Sequence, residues 1–290
     1  MKLALGTANF GQEYGLTKKK VTKKEITKIL NVCKNNNIRL IDTAINYGDA
    51  ETTLGKFDLN FFKICTKLPK IPFSKKKDIE SWVTRNIYQS LKNLNLKKID
   101  YVLMHSTDQF SLARCRVAYK TLLDLKKKGV IKKIGYSIYS TIELNKFYKR
   151  YKPDVIQAPY NVLDRRIENT GWLSKLKKEK VEVLGRSIFL QGLLINSFQF
   201  QKKNFPEWNK IWSKWNSINN NNKNSLRLCL NYAMHEKNIS KFIIGVNNVK
   251  ELKQIIKFSK IKIKKIEKNK INMIQVKSQK ILEPFRWNLS

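Results

Sequence analysis

Eight short apolar runs punctuate the chain: LALG (3–6), RLIDTA (39–44), FKICTK (62–67), DYVLMH (100–105), KIGYS (133–137), DVIQA (154–158), VEVLGRS (181–187) and FIIGV (242–246). Their apolar positions are continuous rather than alternating, the pattern of parallel strands covered on both faces. Between them the spacing becomes helical. Ile26, Ile29, Leu30 and Cys33 predict a helix over 22–36, with Thr22 as its N-cap and Glu25 three residues on. Ile79, Val83, Ile87, Leu91 and Leu94 predict another over 77–95. Leu112, Cys115, Ala118, Leu122 and Leu125 predict a third over 111–128, closed by Gly129. Weaker periodicities mark 140–149, 165–179, 223–237 and 248–258.

Strand–helix alternation repeated eight times predicts an α/β fold, a (β/α)8 TIM barrel forming one domain over 1–290. A doubly wound sheet competes, but no G-x-G-x-x-G follows the first run. Two stretches fall outside the repeat. Residues 193–222 are expected to form a long Asn-rich loop after strand seven, near the barrel mouth, and 264–283 a C-terminal extra helix before the tail EPFRWNLS. Within the first stretch, Trp208, Trp212 and Trp215 fall at near-helical spacing, which favours packing of a short helix over ligand stacking. Trp287 either folds back over the mouth or packs as a terminal anchor.

A length of 290 residues with 42% hydrophobic content supports a large core and argues against disorder. The net charge of +37 points toward polyanions. Its distribution points elsewhere. Of the 59 basic residues only ten are Arg, and lysine runs such as Lys18–Lys20, Lys75–Lys77 and Lys126–Lys128 are spread along the whole chain. Specific nucleic-acid binding is therefore not expected, although nonspecific attraction to anions is. Cys33, Cys65, Cys115 and Cys229 form no C-x-x-C pair, and with two His there is no metal-binding spacing. They fit reduced core thiols in a cytoplasmic protein. No signal peptide or transmembrane segment is expected.

In a barrel of this kind the chemistry sits at the C-terminal strand ends. These carry Asp42 after strand two, Lys67 after strand three and His105 after strand four, with Tyr47 just beyond strand two. A free phenol titrates near ~10, too high to exchange protons readily at neutral pH. A neighbouring ammonium lowers that value, and a carboxylate keeps the ammonium charged in a buried site. Tyr47 is thus set up to give a proton to a carbonyl oxygen that His105 holds by hydrogen bond.

The stretches LGTANFGQ (5–12), IDTAINYGDAETTLG (41–55), CTKLP (65–69) and DYVLMHS (100–106) resemble the aldo-keto reductase family, most distinctively in D-T-A-x-x-Y-G followed by A-E-x-x-L-G. The resemblance extends over nearly the whole chain. It implies an NAD(P)-linked oxidoreductase with the catalytic tetrad Asp42, Tyr47, Lys67 and His105, acting on a small-molecule carbonyl substrate. IGYSIYS (134–140) implies that Ser137 contacts the nicotinamide carboxamide, with Ile138 where the family has Asn. IQAPYNVLDRR (156–166) implies the same for Gln157. In LGRSIFLQGLL (184–194), Ser187 matches a phosphate-side serine, and Arg186 stands where an aromatic ring usually stacks on the nicotinamide. Gly6, Thr7 and Asp42 are implied on the same cofactor. IIGVNNVKELKQII (243–256) is similar to the segment holding the adenosine end, implying Gly245, Val246, Asn247, Glu251 and Gln254. The family favours NADP, with NAD also possible. Glu251 would repel a 2′-phosphate unless it points to solvent or Lys250 and Lys253 compensate. The loop STDQFS (106–111) resembles bacterial members and implies sugar-like or small polar aldehydes. Two alternatives stand beside this reading: a cofactor-binding regulatory protein on the same fold, and a basic nucleic-acid-binding protein. The sequence leaves the oligomeric state open.

Overall fold

The computed structural model describes residues 1–13, 15, 19–72, 75–274, 276 and 278–287. Lys18 of the first lysine run and residues 288–290 of the tail lie outside them. Eight parallel strands, β1 (Leu3–Gly6), β2 (Leu40–Asp42), β3 (Lys63–Leu68), β4 (Ile99–Met104), β5 (Ile131–Ser137), β6 (Val155–Pro159), β7 (Glu182–Arg186) and β8 (Lys241–Gly245), close into a barrel in sequence order. β8 pairs back onto β1 with Gly6 beside Gly245. Each of the eight apolar runs forms a strand, within two residues at either end.

A helix follows each strand: α1 (Lys23–Asn35), α2 (Ala50–Leu54), α3 (Lys76–Leu94), α4 (Ala113–Lys127), α5 (Thr141–Phe147), α6 (Trp172–Lys178), α7 (Ser225–His235) and α8 (Val249–Ser259). Local chemistry explains several of their ends. The Thr22 side chain accepts from Glu25 N and starts α1, whose Ile26, Ile29, Leu30 and Cys33 are buried as the periodicity required. Ser140 and Glu143 form a capping box at α5, with Glu143 Oε2 accepting from Tyr139 N at 2.7 Å. The helix expected over 165–179 is broken into Arg166–Asn169 and α6, because Gly171 at φ +78° takes a left-handed turn between them.

The two outlying stretches differ from expectation in extent, although the short packed helix that the tryptophan spacing favoured is present at Asn209–Ile218. Residues 193–222 are largely helical, with helices at Phe198–Asn204 and Asn209–Ile218. Trp212 and Trp215 are fully buried, and their indole N–H groups donate to the carbonyls of Phe205 and Leu194, both at 3.0 Å. Large aromatic payload with satisfied donors is enough to order a short segment that composition alone reads as a loop. The asparagine run is the part that turns: Asn220, Asn221 and Asn222 all have positive φ, a conformation Asn tolerates. The C-terminal helix is interrupted, with helix at Lys265–Asn272 and again at Gln279–Leu282. Trp287 does not line the barrel mouth. Its ring packs edge-on against Phe205 at 5.0 Å, and its N–H donates to the Lys280 carbonyl.

All four cysteines are buried and unpaired. Among the described residues no helix is long and apolar enough to cross a membrane.

Candidate active site

Successive strand residues face opposite sides, so residues two apart share a face. Ala4, Leu40, Cys65, Leu103, Val155 and Leu184 form a small buried cluster apart from the main core, the filling of the barrel interior. Two residues onward along these strands come Gly6, Asp42, Lys67, His105, Gln157 and Arg186. The same parity that points the apolar residues inward therefore points the next layer into the barrel mouth. Below, the interior is a packed apolar plug. Above it lies an open cleft of about 640 Å³, lined by Tyr47, His105, Ser137, Gln157 and Arg186, and extending to Asn247, Glu251 and Gln254 at the start of α8.

Lys67 and Asp42 form the floor. Their side chains are 1% and 5% exposed, and Lys67 Nζ lies 2.8 Å from Asp42 Oδ2 and 2.8 Å from the Thr43 carbonyl oxygen. Burial alone would strip the Lys67 proton. The Asp42 carboxylate, aided by Tyr47, outweighs that cost and holds the ammonium above its ordinary range. The second carboxylate oxygen of Asp42 accepts from Gln157 Nε2 at 2.7 Å, and the Asp42 carbonyl accepts from Thr7 Oγ1 at 3.0 Å. A buried charge pair is thus satisfied on several sides, the condition for such a pair to persist. Lys67 Nζ sits 5.0 Å from the centre of the Tyr47 ring, and the Tyr47 and His105 rings meet edge to face at 5.7 Å. The four residues singled out from the sequence are brought together at one rim.

What places Tyr47 is a close backbone approach. The single helical turn Ala8–Gly11 packs under the loop after β2, and a Cβ on Gly11 would overlap the Tyr47 carbonyl oxygen and the Ala50 amide. Gly48, at φ +57°, faces Gly11 across the same contact. Only glycine fits both places. Gly11→Ala is therefore expected to displace the Tyr47 loop. The expected outcome is a fall in kcat of tenfold or more, on the order of 1–3 kcal/mol of strain relieved by moving the phenol. A variant with unchanged kcat and wild-type thermal stability would show that the loop does not depend on this contact.

The expected cofactor residues mostly share the cleft. Ser137 and Gln157 are register partners on β5 and β6. Arg186 stacks over the Tyr139 ring, 4.6 Å from its centre, and donates to the Ile138 carbonyl at 2.9 Å and to Ser187 Oγ at 3.1 Å. Ser187 itself has φ +61°, a strained position for a residue with a Cβ. Gly6, Thr7, Gly245, Asn247, Glu251 and Gln254 line the same cleft. Val246 is placed apart, its side chain buried in the core and its carbonyl accepting from Asn9 Nδ2 at 2.8 Å. Ile138 is likewise a core residue and offers only its carbonyl.

Some contributors had no clear signature. Asn9 ties the end of β1 to Val246 and to Asn247 Oδ1. Tyr139 and Phe285 stack edge-on at 4.7 Å as one wall of the cleft, and the Phe285 segment is anchored by Glu283, which accepts from Arg166 at 3.0 Å. The aromatic two residues past Ser137 was a usable hint for Tyr139. Nothing local marks Phe285, which reaches the cleft from the far end of the chain.

The Aldo/keto reductase family model matches residues 2–276. A curated relative, D-arabinose 1-dehydrogenase of Saccharomyces cerevisiae, is 28% identical over 145 residues, which are 47% of this chain and 42% of that protein. The match thus spans less than half the length of this relative. Among solved structures, the holo form of an aldo-keto reductase from Bacillus halodurans superposes with a TM-score of 0.72 at 19% identity, covering 94% of this chain and 91% of that one. A glycerol dehydrogenase from Gluconobacter oxydans gives a TM-score of 0.72 at 20% identity, covering 94% and 90%. At such identities these two show the fold alone. With the family match running along almost the entire barrel, the chain belongs to the aldo/keto reductase family of oxidoreductases.

Proposed function

We propose that this protein moves hydride between C4 of a nicotinamide dinucleotide and a carbonyl carbon, with Tyr47 giving the proton to the carbonyl oxygen and taking it back in reverse. The observation that carries this reading is the buried Lys67–Asp42 pair set 5.0 Å beneath the Tyr47 ring and beside His105. A positive charge under a phenol favours the phenolate and eases proton release.

The donor set fits the cofactor. Gln157 commits its Nε2 to Asp42, so its amide oxygen remains to accept from a carboxamide, while the Ser137 hydroxyl serves as its counterpart. The planar Arg186 guanidinium suits a ring-stacking role and adds positive charge that favours the reduced ring. A cleft of about 640 Å³ lies within the range of cofactor sites. When bound, the nicotinamide supplies the hydride; the protein supplies orientation, proton and electrostatics. Lys67 holds Tyr47 poised, Asp42 holds Lys67 charged, and His105 positions the carbonyl oxygen.

His105 performs that role as a neutral imidazole. Burial first, then the charges of Lys67 and Arg186, push it down to about 3 from 6.5. The unfolded chain takes a proton on this residue as pH falls below 6.5 while the folded chain refuses it. Its contribution to stability is therefore full above 6.5 and is lost as pH falls from there toward 3. The corresponding prediction is a kcat/KM profile between pH 5 and 8 with no limb assignable to His105. A limb near 6.5 that disappears in His105→Asn would contradict a neutral imidazole.

The substrates we favour are sugar-like or small polyhydroxylated carbonyls and alcohols. The name of D-arabinose 1-dehydrogenase, the curated relative, supports that class. The test is a reduced-nicotinamide absorbance assay over aldehydes, aldoses and polyols. Dinucleotide-loaded, folded protein with no turnover on any of them would instead favour a cofactor-binding regulatory role.

A further inference from the structure

We propose that this cleft takes NAD(H) in preference to NADP(H), and that the Glu251 carboxylate makes the choice. The inference rests on the dinucleotide reading above and reverses the preference that the family resemblance implied. With the nicotinamide end at Ser137, Gln157 and Arg186, as in the reading above, the rest of a dinucleotide extends along the same continuous cleft to its other end. There the lining is Asn247, Glu251 and Gln254. The two cofactors differ only by a phosphate on the adenosine 2′-oxygen, so the groups at that end decide between them.

The start of α8 is where a phosphate would ordinarily find a home. A helix N-terminus offers unpaired N–H groups and the positive end of the helix dipole. In this chain several of those donors are already committed, two of them to carboxylates. Glu251 Oε2 accepts from Asn247 N at 2.8 Å, and Glu251 Oε1 accepts from Asn248 Nδ2 at 2.9 Å. Val249 N donates to Glu25 Oε1 at 2.6 Å, a carboxylate brought across from α1. Glu251 N donates to Asn248 Oδ1 at 2.9 Å. Two carboxylates therefore sit on one helix end and oppose its attraction for a third anion.

A 2′-phosphate arriving there meets like charge and finds these donors committed. A 2′-hydroxyl meets a charged acceptor with lone pairs to spare, and donates a charge-assisted hydrogen bond. The same logic lets an acidic residue select the free ribose in doubly wound dinucleotide folds. Among the described residues no cation pairs with Glu251. Lys250 and Lys253 are exposed and outside the cleft lining, and among the described residues neither forms an ion pair with it. Lys28 lies 3.5 Å from the other oxygen of Glu25 and offsets part of that charge alone.

The experiment is a fluorescence titration of cofactor-free protein with NADH and with NADPH, which needs no substrate and no turnover. Wild-type protein is expected to bind NADH about tenfold or more tightly than NADPH. Glu251→Gln keeps the shape, removes the charge and should narrow the ratio to a few-fold; Glu251→Lys should invert it. Equal or tighter binding of NADPH to the wild type overturns the inference and leaves the reductase reading standing. A ratio unchanged in Glu251→Gln overturns the role of Glu251, and Glu25→Gln then reports whether the second carboxylate is responsible. Absence of binding by either nucleotide overturns both this inference and the dinucleotide reading beneath it.

Discussion

Tyr47→Phe is expected to lower turnover by about 10²–10⁴-fold while dinucleotide affinity changes by no more than a few-fold. The phenyl ring fills the same volume, so the edge-to-face contact with His105 at 5.7 Å survives, as does the glycine contact that fixes the loop. What goes is the hydroxyl, and with it the group able to exchange a proton with the carbonyl oxygen. His105 offers no replacement, because burial and the neighbouring cations keep it neutral. Neither does Lys67, whose ammonium Asp42 holds above its ordinary range and so keeps from giving up a proton at neutral pH. Steady-state kinetics beside a binding titration separates the two effects. A phenylalanine variant within tenfold of wild-type kcat would remove Tyr47 from the chemistry.

Lys67→Met carries the second large effect, and it has two parts. Activity should fall by a hundredfold or more, because Tyr47 loses the charge that favours its phenolate. Stability should fall by about 3–5 kcal/mol, because Asp42 is left as a buried carboxylate with one amide partner. The double variant Lys67→Met with Asp42→Leu separates the parts. Removing both charges replaces an unpaired buried ion with apolar surface, so most of the stability should return while activity does not. Urea unfolding and kinetics on the single and double variants read this directly. If the double variant were no more stable than the single, the cost would lie in packing rather than in the stranded charge. The pair's effect has a defined pH range. Since folding raises the Lys67 value, its contribution is complete below the ordinary lysine value of 10.5 and is lost only as pH rises through the higher folded value. Across the neutral range the pair stays intact.

The barrel itself could be read along the chain. Eight continuous apolar runs, each long enough for one strand and separated by amphipathic stretches, leave few arrangements other than a closed parallel sheet. The meeting of Asp42, Lys67 and His105 at the barrel mouth was legible for the same reason. Strand ends are local features, and residues two places beyond an inward-facing apolar residue must face inward too. Thus Asp42, Lys67 and His105 follow from Leu40, Cys65 and Leu103. Segments outside the repeat were less legible. The stretch over 193–222 looked like loop because its asparagines dominate the composition, whereas two buried tryptophans determine its structure.

What the sequence by itself determined is therefore the barrel, its strand order and the set of groups at its mouth, since each depends on spacing along one strand or helix. Only the tertiary structure decided which partners those groups meet. Phe285 closes one wall from near the end of the chain, Gly11 supports Tyr47 from another loop, and Glu25 reaches from α1 to the first turn of α8. The last of these contacts joins residues 224 positions apart. No local periodicity records such a meeting. It arises from closure of the barrel, which brings the first and last strands side by side and sets the helices that follow them against each other.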